Sequence, residues 1–593
     1  MKPTDSSNPE YFHKVVDCQY ACPAHTPVPE YIRLISAGRY ADAYMINWES
    51  NVFPGVLGRT CDRPCEPACR RGRVEEQPVA ICRLKRVAAD FKTDIRDRLP
   101  KIPTKKNGKR VACIGGGPAA LTVCRDLMPL GYSIDLYDNQ NAGGGFMRSQ
   151  IPSFRLPEQV LNEEVGYILD MGVTTHFNTY VDSLKGILDK GYDAVFVGTG
   201  APRGRDLEIP GRKEAAANIH IGIDWLASVA FGHIEKIGKR VVVLGGGNTA
   251  MDCCRTSMRL GGEKVSVVVR SPRSEMKASP WEIEDAEREG IPMFENHVPV
   301  EFVHDNGKLT GIKFEKVRAV YDSNGKRSLV STGEDHVLFE CDDVLIAVGQ
   351  ENAFPWIERD VGLDFGKWDM PVVDEVTFQS TNPKVFFGGD AAFGPKNVIT
   401  AVAQGHQAAV SIDLFLRGLD VTQRPAPGVT LVSQKMGVHE WSYDNKIEDD
   451  KRYKVPHAEV KVALTDRKLE VELGFDVDTA IKEAQRCLNC DVQTTFTTSR
   501  CIECDACADI CPTECISFVD NAEEPELRKK LRAPANNLAQ DLYVSSDLPT
   551  QRVLVKDENV CLHCGLCAER CPTGAWDMQK FLYQVSKAGH IGK

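Results

Sequence analysis

The sequence predicts a multidomain protein in which two Rossmann-like α/β units lie between cysteine-rich ends. Three observations predict it. A strand, a glycine turn and a helix follow one another twice, at residues 109–130 and from residue 239. Two identical runs, Cys501-x2-Cys504-x2-Cys507-x3-Cys511-Pro512 and Cys561-x2-Cys564-x2-Cys567-x3-Cys571-Pro572, lie near the C-terminus. A third group, Cys18, Cys22, Cys61, Cys65, Cys69 and Cys82, falls within residues 1–100 among helical stretches such as 28–44.

Composition bounds the chemistry. The 593 residues, 42% hydrophobic and 26% charged, suit about three to five soluble domains. No apolar run approaches the roughly 18 residues of a membrane span, and the start has neither a basic nor an apolar signal region, so a cytoplasmic location is expected. The 22 cysteines cluster at short spacings, which favours metal or redox chemistry over disulfides. A net charge of −11 argues against a nucleic-acid surface.

In the first α/β unit, Lys109 to Ile114 forms the strand and Leu121 to Leu130 the amphipathic helix. Gly115 permits the tight turn, Gly117 lets backbone approach a pyrophosphate, and Ala120 keeps helix and strand close, with phosphates at the helix N-terminus beside Pro118 and Ala119. A second strand, Ser133 to Asp138, ends in an acid suited to a ribose hydroxyl. The second unit repeats the pattern with Gly245, Gly247, Asn248 and Thr249, but its next strand, Val265 to Arg270, ends in arginine. An arginine there accommodates a 2′-phosphate, with Arg273 as a second jaw; the alternative is two solvated loop charges. The balance tilts slightly to NADP(H) over NAD(H).

The terminal runs have the ligand spacing of a bacterial two-cluster ferredoxin, in which the fourth cysteine of each run serves the other cluster. This assigns Cys501, Cys504, Cys507 and Cys571 to one [4Fe-4S] centre and Cys561, Cys564, Cys567 and Cys511 to the second. Zinc is the alternative for C-x2-C pairs, but a doubled run of four followed by proline has little use at one tetrahedral ion.

Residues 10–418 closely resemble the glutamate synthase small-subunit family, which includes the NAD(P)H-binding half of dihydropyrimidine dehydrogenase and the FAD subunit of a bifurcating ferredoxin:NADP oxidoreductase. The resemblance rests on Gly245-Gly-Gly-Asn-Thr-Ala-Met-Asp252, Gly388-Gly-Asp390 with Gly394-Pro395 and Val398, Gly144-Gly145 with Arg148 and Ile151-Pro152, and Tyr192 to Val195 leading to Gly200. It implies FAD on the first unit, with Gly145, Arg148, Gly200, Gly389, Asp390 and Val398 contributing, and NAD(P)H on the inserted second unit. The helix opening at Asn397-Val398 is expected to aim its N-terminal amides at the flavin. Ser149-Gln150 departs from the family, which usually has an aromatic residue and glycine there.

The resemblance also implies an N-terminal helical domain with two [4Fe-4S] clusters. Here Cys18 and Cys22 remain from the first ligand run, but its leading C-x2-C is missing. Glu483-Ala-Gln-Arg-Cys487-Leu-Asn-Cys490 looks like that lead-in, displaced towards the C-terminus. Cys487 and Cys490 are therefore expected to complete one cluster with Cys18 and Cys69; the alternative is a local thiol pair. Cys22, Cys61 and Cys65 would share the other with Cys82, since Lys85 stands where the family uses Glu or Gln. Four clusters in total are preferred, two at each end, or three if the pair is local.

The expected domains are an iron–sulfur domain at 1–100, an FAD domain at 108–202 and 340–418 that includes the strand Val344 to Gly349, an NAD(P)H domain at 203–339, an extended linker at 419–486 with a charged run from Glu448 to Arg452, and an α+β ferredoxin domain at 487–593. The linker's length implies wrapping along the core or hidden short elements such as Glu459 to Ala463. An insertion at 516–556 is expected to be a surface helix and loop. Hydride transfer belongs to the cofactors, so no catalytic acid or base is assigned, and His406 is read as structural. A redox dithiol is a competing design, but Cys253-Cys254 are adjacent helical residues and cannot readily pair. Cys113, Cys124, Cys341 and Cys515 are read as isolated. The reading is an NAD(P)H:iron–sulfur oxidoreductase delivering electrons to ferredoxin or a partner enzyme, such as a 2-oxoacid oxidoreductase or sulfite reductase, within a hetero-oligomer. Its rivals are a glutamate synthase small subunit and a non-enzymatic electron-wiring subunit.

Overall fold

The computed structural model describes residues 1–434, 450–535 and 537–590. Glu448 and Asp449 of the charged run lie outside them. The chain forms two compact units: Pro100–Thr422 with Pro456–Leu473, and Met1–Leu99 with Gln423–Val455 and Gly474–Lys593.

The first of these contains two five-stranded parallel sheets. One has the order Val385–Phe387, Ala194–Val197, Arg110–Ile114, Ser133–Tyr137, Thr174–His176. The other has the order Ile219–Ile221, Asp343–Ile346, Arg240–Leu244, Lys264–Val268, Met293–Phe294. The central strands are buried on both faces, as parallel sheets covered by helices require. This layout corrects one expectation: Val344 to Ile346, expected with the first unit, belongs to the second sheet, where Leu345 pairs with Val243 and with His220. A fully buried apolar strand satisfies either sheet equally well, so its sequence cannot choose between them. Between Met293–Phe294 and Asp343–Ile346 the chain makes an antiparallel excursion of His297–Asp305, Lys308–Tyr321, Arg327–Ser331 and Val337–Glu340. Asn306 and Gly307, both at positive φ, turn its first hairpin.

In the other unit, helices Val28–Ser36, Tyr40–Asn51, Pro54–Thr60 and Ile81–Asp90 pack together, and helix Val477–Gln485 joins them. The ferredoxin-like part pairs Val492–Phe496 with Trp576–Gln584, and Ile516–Asp520 with Arg552–Asp557. Two expectations are corrected in part. The 419–486 segment holds a short element at Val460–Ala463, where one was expected, but it is not otherwise simply extended: Gly428–Ser433 adds a strand to Trp576–Gln584, and Val477–Gln485 is helical. The 516–556 insertion has its helix, Glu524–Lys529, at the surface with Leu527 buried against Leu542, Val544, Val553 and Val555, but the rest is not simply loop, because Leu542–Val544 extends the second sheet. Both segments gain their order from partners distant in sequence, which local periodicity does not report. Among the described residues no helix is long and apolar enough to cross a membrane.

Candidate cofactor and cluster sites

The first glycine turn is shaped as a nucleotide cradle. Gly115 has φ +94°, and a Cβ there would lie 2.6 Å from the Gly198 carbonyl, so no side chain fits. Gly117 caps helix Pro118–Leu127, and a Cβ there would meet the Gly198 carbonyl only at 3.9 Å, leaving the helix N-terminus approachable by a phosphate. Asp138 accepts the backbone N–H of Gly116 at 2.5 Å and of Gln140 at 2.7 Å, so it braces the turn as well as standing at the ribose position. Burial pushes its pKa up against these bonds. Arg148 donates to the Gly143 carbonyl at 2.8 Å and to Asn162 at 2.7 Å, holding the Gly144-Gly145 loop over the turn, where Gly145 approaches Gly117. Gly200, at φ +70°, faces open space. The chain returns at Gly389-Asp390, with the Asp390 carboxylate accepting the Lys396 N–H at 2.9 Å. Helix Val398–Leu416 then opens with Asn397 as its cap. These groups fit a dinucleotide.

The second turn is built the same way. Gly245 has φ +137°, and a Cβ would meet the Ala347 carbonyl at 2.2 Å. Gly247 caps helix Asn248–Arg259, Thr249 lies in its first turn, and Asn248 accepts the Ser279 N–H at 2.8 Å. Beyond the strand Lys264–Val268, Arg270 is exposed to solvent. Arg273 does not stand open as a second jaw: its Nη2 is 2.8 Å from Glu287. Sequence reasoning missed Arg327, which reaches the same loop from the antiparallel excursion, donating to the Arg270 carbonyl at 3.1 Å and to Ser271 at 2.8 Å. Nothing local in sequence links it to residue 270.

At the N-terminal end the thiols fall into two groups. Cys18, Cys69, Cys487 and Cys490 line one pocket. Burial and then the neighbouring sulfurs of Cys69, Cys490 and Cys487 push the Cys18 pKa well up. The second group has Cys82 hydrogen-bonded to both Cys61 and Cys65, which pulls its pKa well down. Lys85 is buried beside them; desolvation opposes its charge, but Cys82, Cys61, Cys22 and Cys65 outweigh it and raise its pKa. Tyr31 lies against members of both groups, and its OH donates to the Ile81 carbonyl at 3.2 Å.

One backbone device recurs at four cysteines. Arg63, Asn489, Glu503 and His563, each two residues after a cysteine, all have φ between +50° and +57°. Their N–H groups point at sulfur: Arg63 to Cys61 at 3.4 Å, Glu503 to Cys501 at 3.4 Å, His563 to Cys561 at 3.3 Å, and Asn489 to Cys487. Left-handed turns of this kind present amides to an anion, as four-thiolate clusters require. Cys487 shares the turn of the ferredoxin cysteines, a resemblance its C-x2-C spacing alone does not carry.

At the C-terminal end the sulfurs mix across the two runs. Cys501 and Cys507 both interact with Cys571, while Cys564 interacts with Cys561 and Cys511. Cys567 interacts first with Lys556 and then with the sulfurs of Cys561, Cys564 and Cys507, and Cys504 and Cys564 are exposed. Cys515 is not isolated, as its sequence position suggested: its sulfur is 3.5 Å from Cys511 and also bonds Cys561. Cys113 and Cys124 likewise meet, at 4.0 Å, inside the first α/β unit, because strand and helix place them face to face. Cys253 and Cys254 are fully buried and bond the carbonyls of Gly222 and Met251. His406 pairs with Asp126 at 2.5 Å, in keeping with a structural role.

Residues 109–405 match the pyridine nucleotide-disulphide oxidoreductase family, residues 12–96 the dihydropyrimidine dehydrogenase domain II, 4Fe-4S cluster, and residues 500–575 the 4Fe-4S dicluster domain. The chain is 34% identical over 503 residues to the NADP(+)-dependent formate dehydrogenase subunit beta of Moorella thermoacetica, covering 80% of this chain and 70% of the relative. It is 32% identical over 526 residues to the NADPH-Fe(3+) oxidoreductase subunit beta of Geobacter sulfurreducens, covering 82% and 77%. With the glutamate synthase [NADPH] small chain of Escherichia coli the identity is 32% over 416 residues, covering 67% of this chain and 87% of the relative.

Proposed function

The chain belongs to the pyridine nucleotide-disulphide oxidoreductase family, with 4Fe-4S domains at both ends, and from that premise we propose that it is the NADPH-linked electron-transfer subunit of a larger redox enzyme. FAD, when bound, exchanges a hydride with nicotinamide and single electrons with iron–sulfur clusters. The protein's share is to hold these groups. Gly115, Gly117 and the N-terminus of helix Pro118–Leu127 would take the FAD pyrophosphate, with Asp138, Gly145, Gly200 and the Gly389-Asp390 return around it. The nicotinamide nucleotide would sit on Gly245, Gly247, Asn248 and Thr249, in a domain that runs from 203 to 346. Arg270 stands where the first unit has an acid, and with Arg327 beside it favours a 2′-phosphate. The NADPH and NADP(+) in the relatives' names support the same choice.

The single observation that carries the reading is the gathering of Cys487 and Cys490 with Cys18 and Cys69 in one pocket. It ties the ferredoxin-like end to the N-terminal thiols and supports four clusters in series. Two relatives are named as beta subunits, which supports a partner subunit that performs the terminal chemistry, such as a formate dehydrogenase, a 2-oxoacid oxidoreductase or a sulfite reductase, or else free ferredoxin. A glutamate synthase small chain has no evident use for the second thiol-rich end, and a mere wiring subunit has none for two intact nucleotide turns. Anaerobic addition of NADPH to the purified full chain should bleach the flavin and then generate reduced-cluster EPR signals. A flavin that stays oxidised would overturn the proposal.

A further inference from the structure

Arg70 follows Cys69 directly in the chain, and Asp17 directly precedes Cys18. The Arg70 side chain is wholly buried and ion-paired to Asp17 through Nε. Its Nη2 donates to the Val15 carbonyl at 3.1 Å. Its Nη1 donates to two carbonyls of the ferredoxin-like part, Glu558 at 2.6 Å and Cys561. Its charge also acts on Cys490. One guanidinium therefore joins the loop of Cys69 to the backbone of Cys561. Arg73, in the short helix Arg71–Glu75 that Arg70 caps, adds a second strut, with Nη1 on the Asn559 carbonyl and Nη2 on Asp17 at 3.1 Å.

Burying a guanidinium costs several kcal/mol unless charge and hydrogen bonds offset it. Here one carboxylate and three carbonyls satisfy the donors; Arg70 lines the pocket of Cys18, Cys69, Cys487 and Cys490, and on the ferredoxin-like side its charge acts on Cys561. We propose that Arg70 is the positioning residue that couples the N-terminal cluster of Cys18, Cys69, Cys487 and Cys490 to the ferredoxin cluster of Cys511, Cys561, Cys564 and Cys567. The inference rests on the reading that both thiol sets hold [4Fe-4S] clusters. Arg70 fixes the spacing of the two through its bonds to Cys561, and its permanent charge favours the reduced, more negative state of each. One electron leaves one cluster, which is oxidised by one unit, and enters the other, which is reduced by one. The electrons originate in NADPH, no bond is made or broken at Arg70, and its proton stays in place.

The test uses the full chain with Arg70→Lys and Arg70→Gln, read by iron analysis, EPR-monitored redox titration and freeze-quench EPR after mixing with NADPH. Both variants lose the two-carbonyl grip, so reduction of the Cys561-containing cluster should slow at least tenfold relative to flavin bleaching in the same samples. Midpoint potentials of both clusters should fall in Arg70→Gln and stay near wild type in Arg70→Lys, a pattern that a merely structural role would not produce. Unchanged transfer rates and potentials with about sixteen irons retained would overturn the coupling alone. Loss of iron from both variants would overturn it too, since Arg70 would then be scaffold. A wild-type chain with only about twelve irons would instead overturn the ligand reading beneath it.

Discussion

Arg155 closes on Asp252, its Nη1 lying 2.7 and 2.8 Å from the two carboxylate oxygens. Arg155 comes from the loop after the first nucleotide unit and Asp252 from the helix that follows the second glycine turn, so the pair fastens one α/β layer to the other. Glu282 takes the other end of the guanidinium, and Arg255 and Arg259 cover the Phe154 ring beside it. All of these charges are buried or nearly so.

Removing one partner strands the other. Arg155→Met should destabilise the chain by about 3–5 kcal/mol, the usual cost of an uncompensated buried charge. The double variant Arg155→Met with Asp252→Asn should lose less than the two single losses added together. Denaturant unfolding of the four proteins measures this directly, and strict additivity would show that the pair is not coupled.

The shared pocket of Cys18, Cys69, Cys487 and Cys490 yields a count. Replacing Cys487 and Cys490 with alanine should lower bound iron from about sixteen to about twelve atoms per chain. Replacing Cys113 and Cys124, which meet elsewhere, should leave it unchanged. Iron and acid-labile sulfide per FAD decide the matter; equal iron in both double variants would exclude the displaced pair as ligands.

Nucleotide choice should follow charge at the end of the second unit. Arg270→Glu should raise the KM for NADPH about ten- to hundredfold, the scale of a charge-assisted arginine–phosphate contact of roughly 1.5–3 kcal/mol, while leaving that for NADH within about threefold. Steady-state flavin reduction with each nucleotide is the measurement. Equal losses with both nucleotides would place Arg270 outside 2′-phosphate recognition.

Acid should loosen the first α/β unit through Asp126. Burial pushes this carboxyl up, but His406 and Arg125 outweigh burial and hold its pKa well below the ordinary value. A depressed folded pKa stabilises the protein above the unfolded value of about 4, and that contribution is lost as pH falls through the folded pKa. Asp126→Asn should therefore lower the melting temperature at pH 7, and the gap to wild type should narrow on acidification below about pH 4. A gap independent of pH would show that the ion pair carries no linkage.

Much of the architecture was legible because its chemistry is local. Gly115, Gly245 and the strands before them announce two nucleotide units, since a strained turn leaves its signature within a few residues. The doubled C-x2-C-x2-C-x3-C-P runs do the same for the ferredoxin-like end. The strand Asp343–Ile346 is misplaced by the sequence reading, because its apolar run Val344–Ile346 reads alike in any buried parallel sheet. Arg327 was invisible as a neighbour of Arg270 for a related reason: 57 residues and two hairpins separate them.

By itself, then, the sequence determined the residue types available for nucleotide, flavin and iron–sulfur chemistry, and it singled out Cys487 and Cys490 as out of place. It also offered Cys18 and Cys69 as their partners and Cys82 as a companion of Cys61 and Cys65, with alternatives open; the tertiary structure brings these groups together, and it alone shows that Arg70 spans from Cys69 to the carbonyl of Cys561. Local motifs are written in short-range spacing, where backbone geometry limits the choices. Contacts between residues hundreds of positions apart depend on which surfaces the whole fold buries together, and no local pattern encodes that.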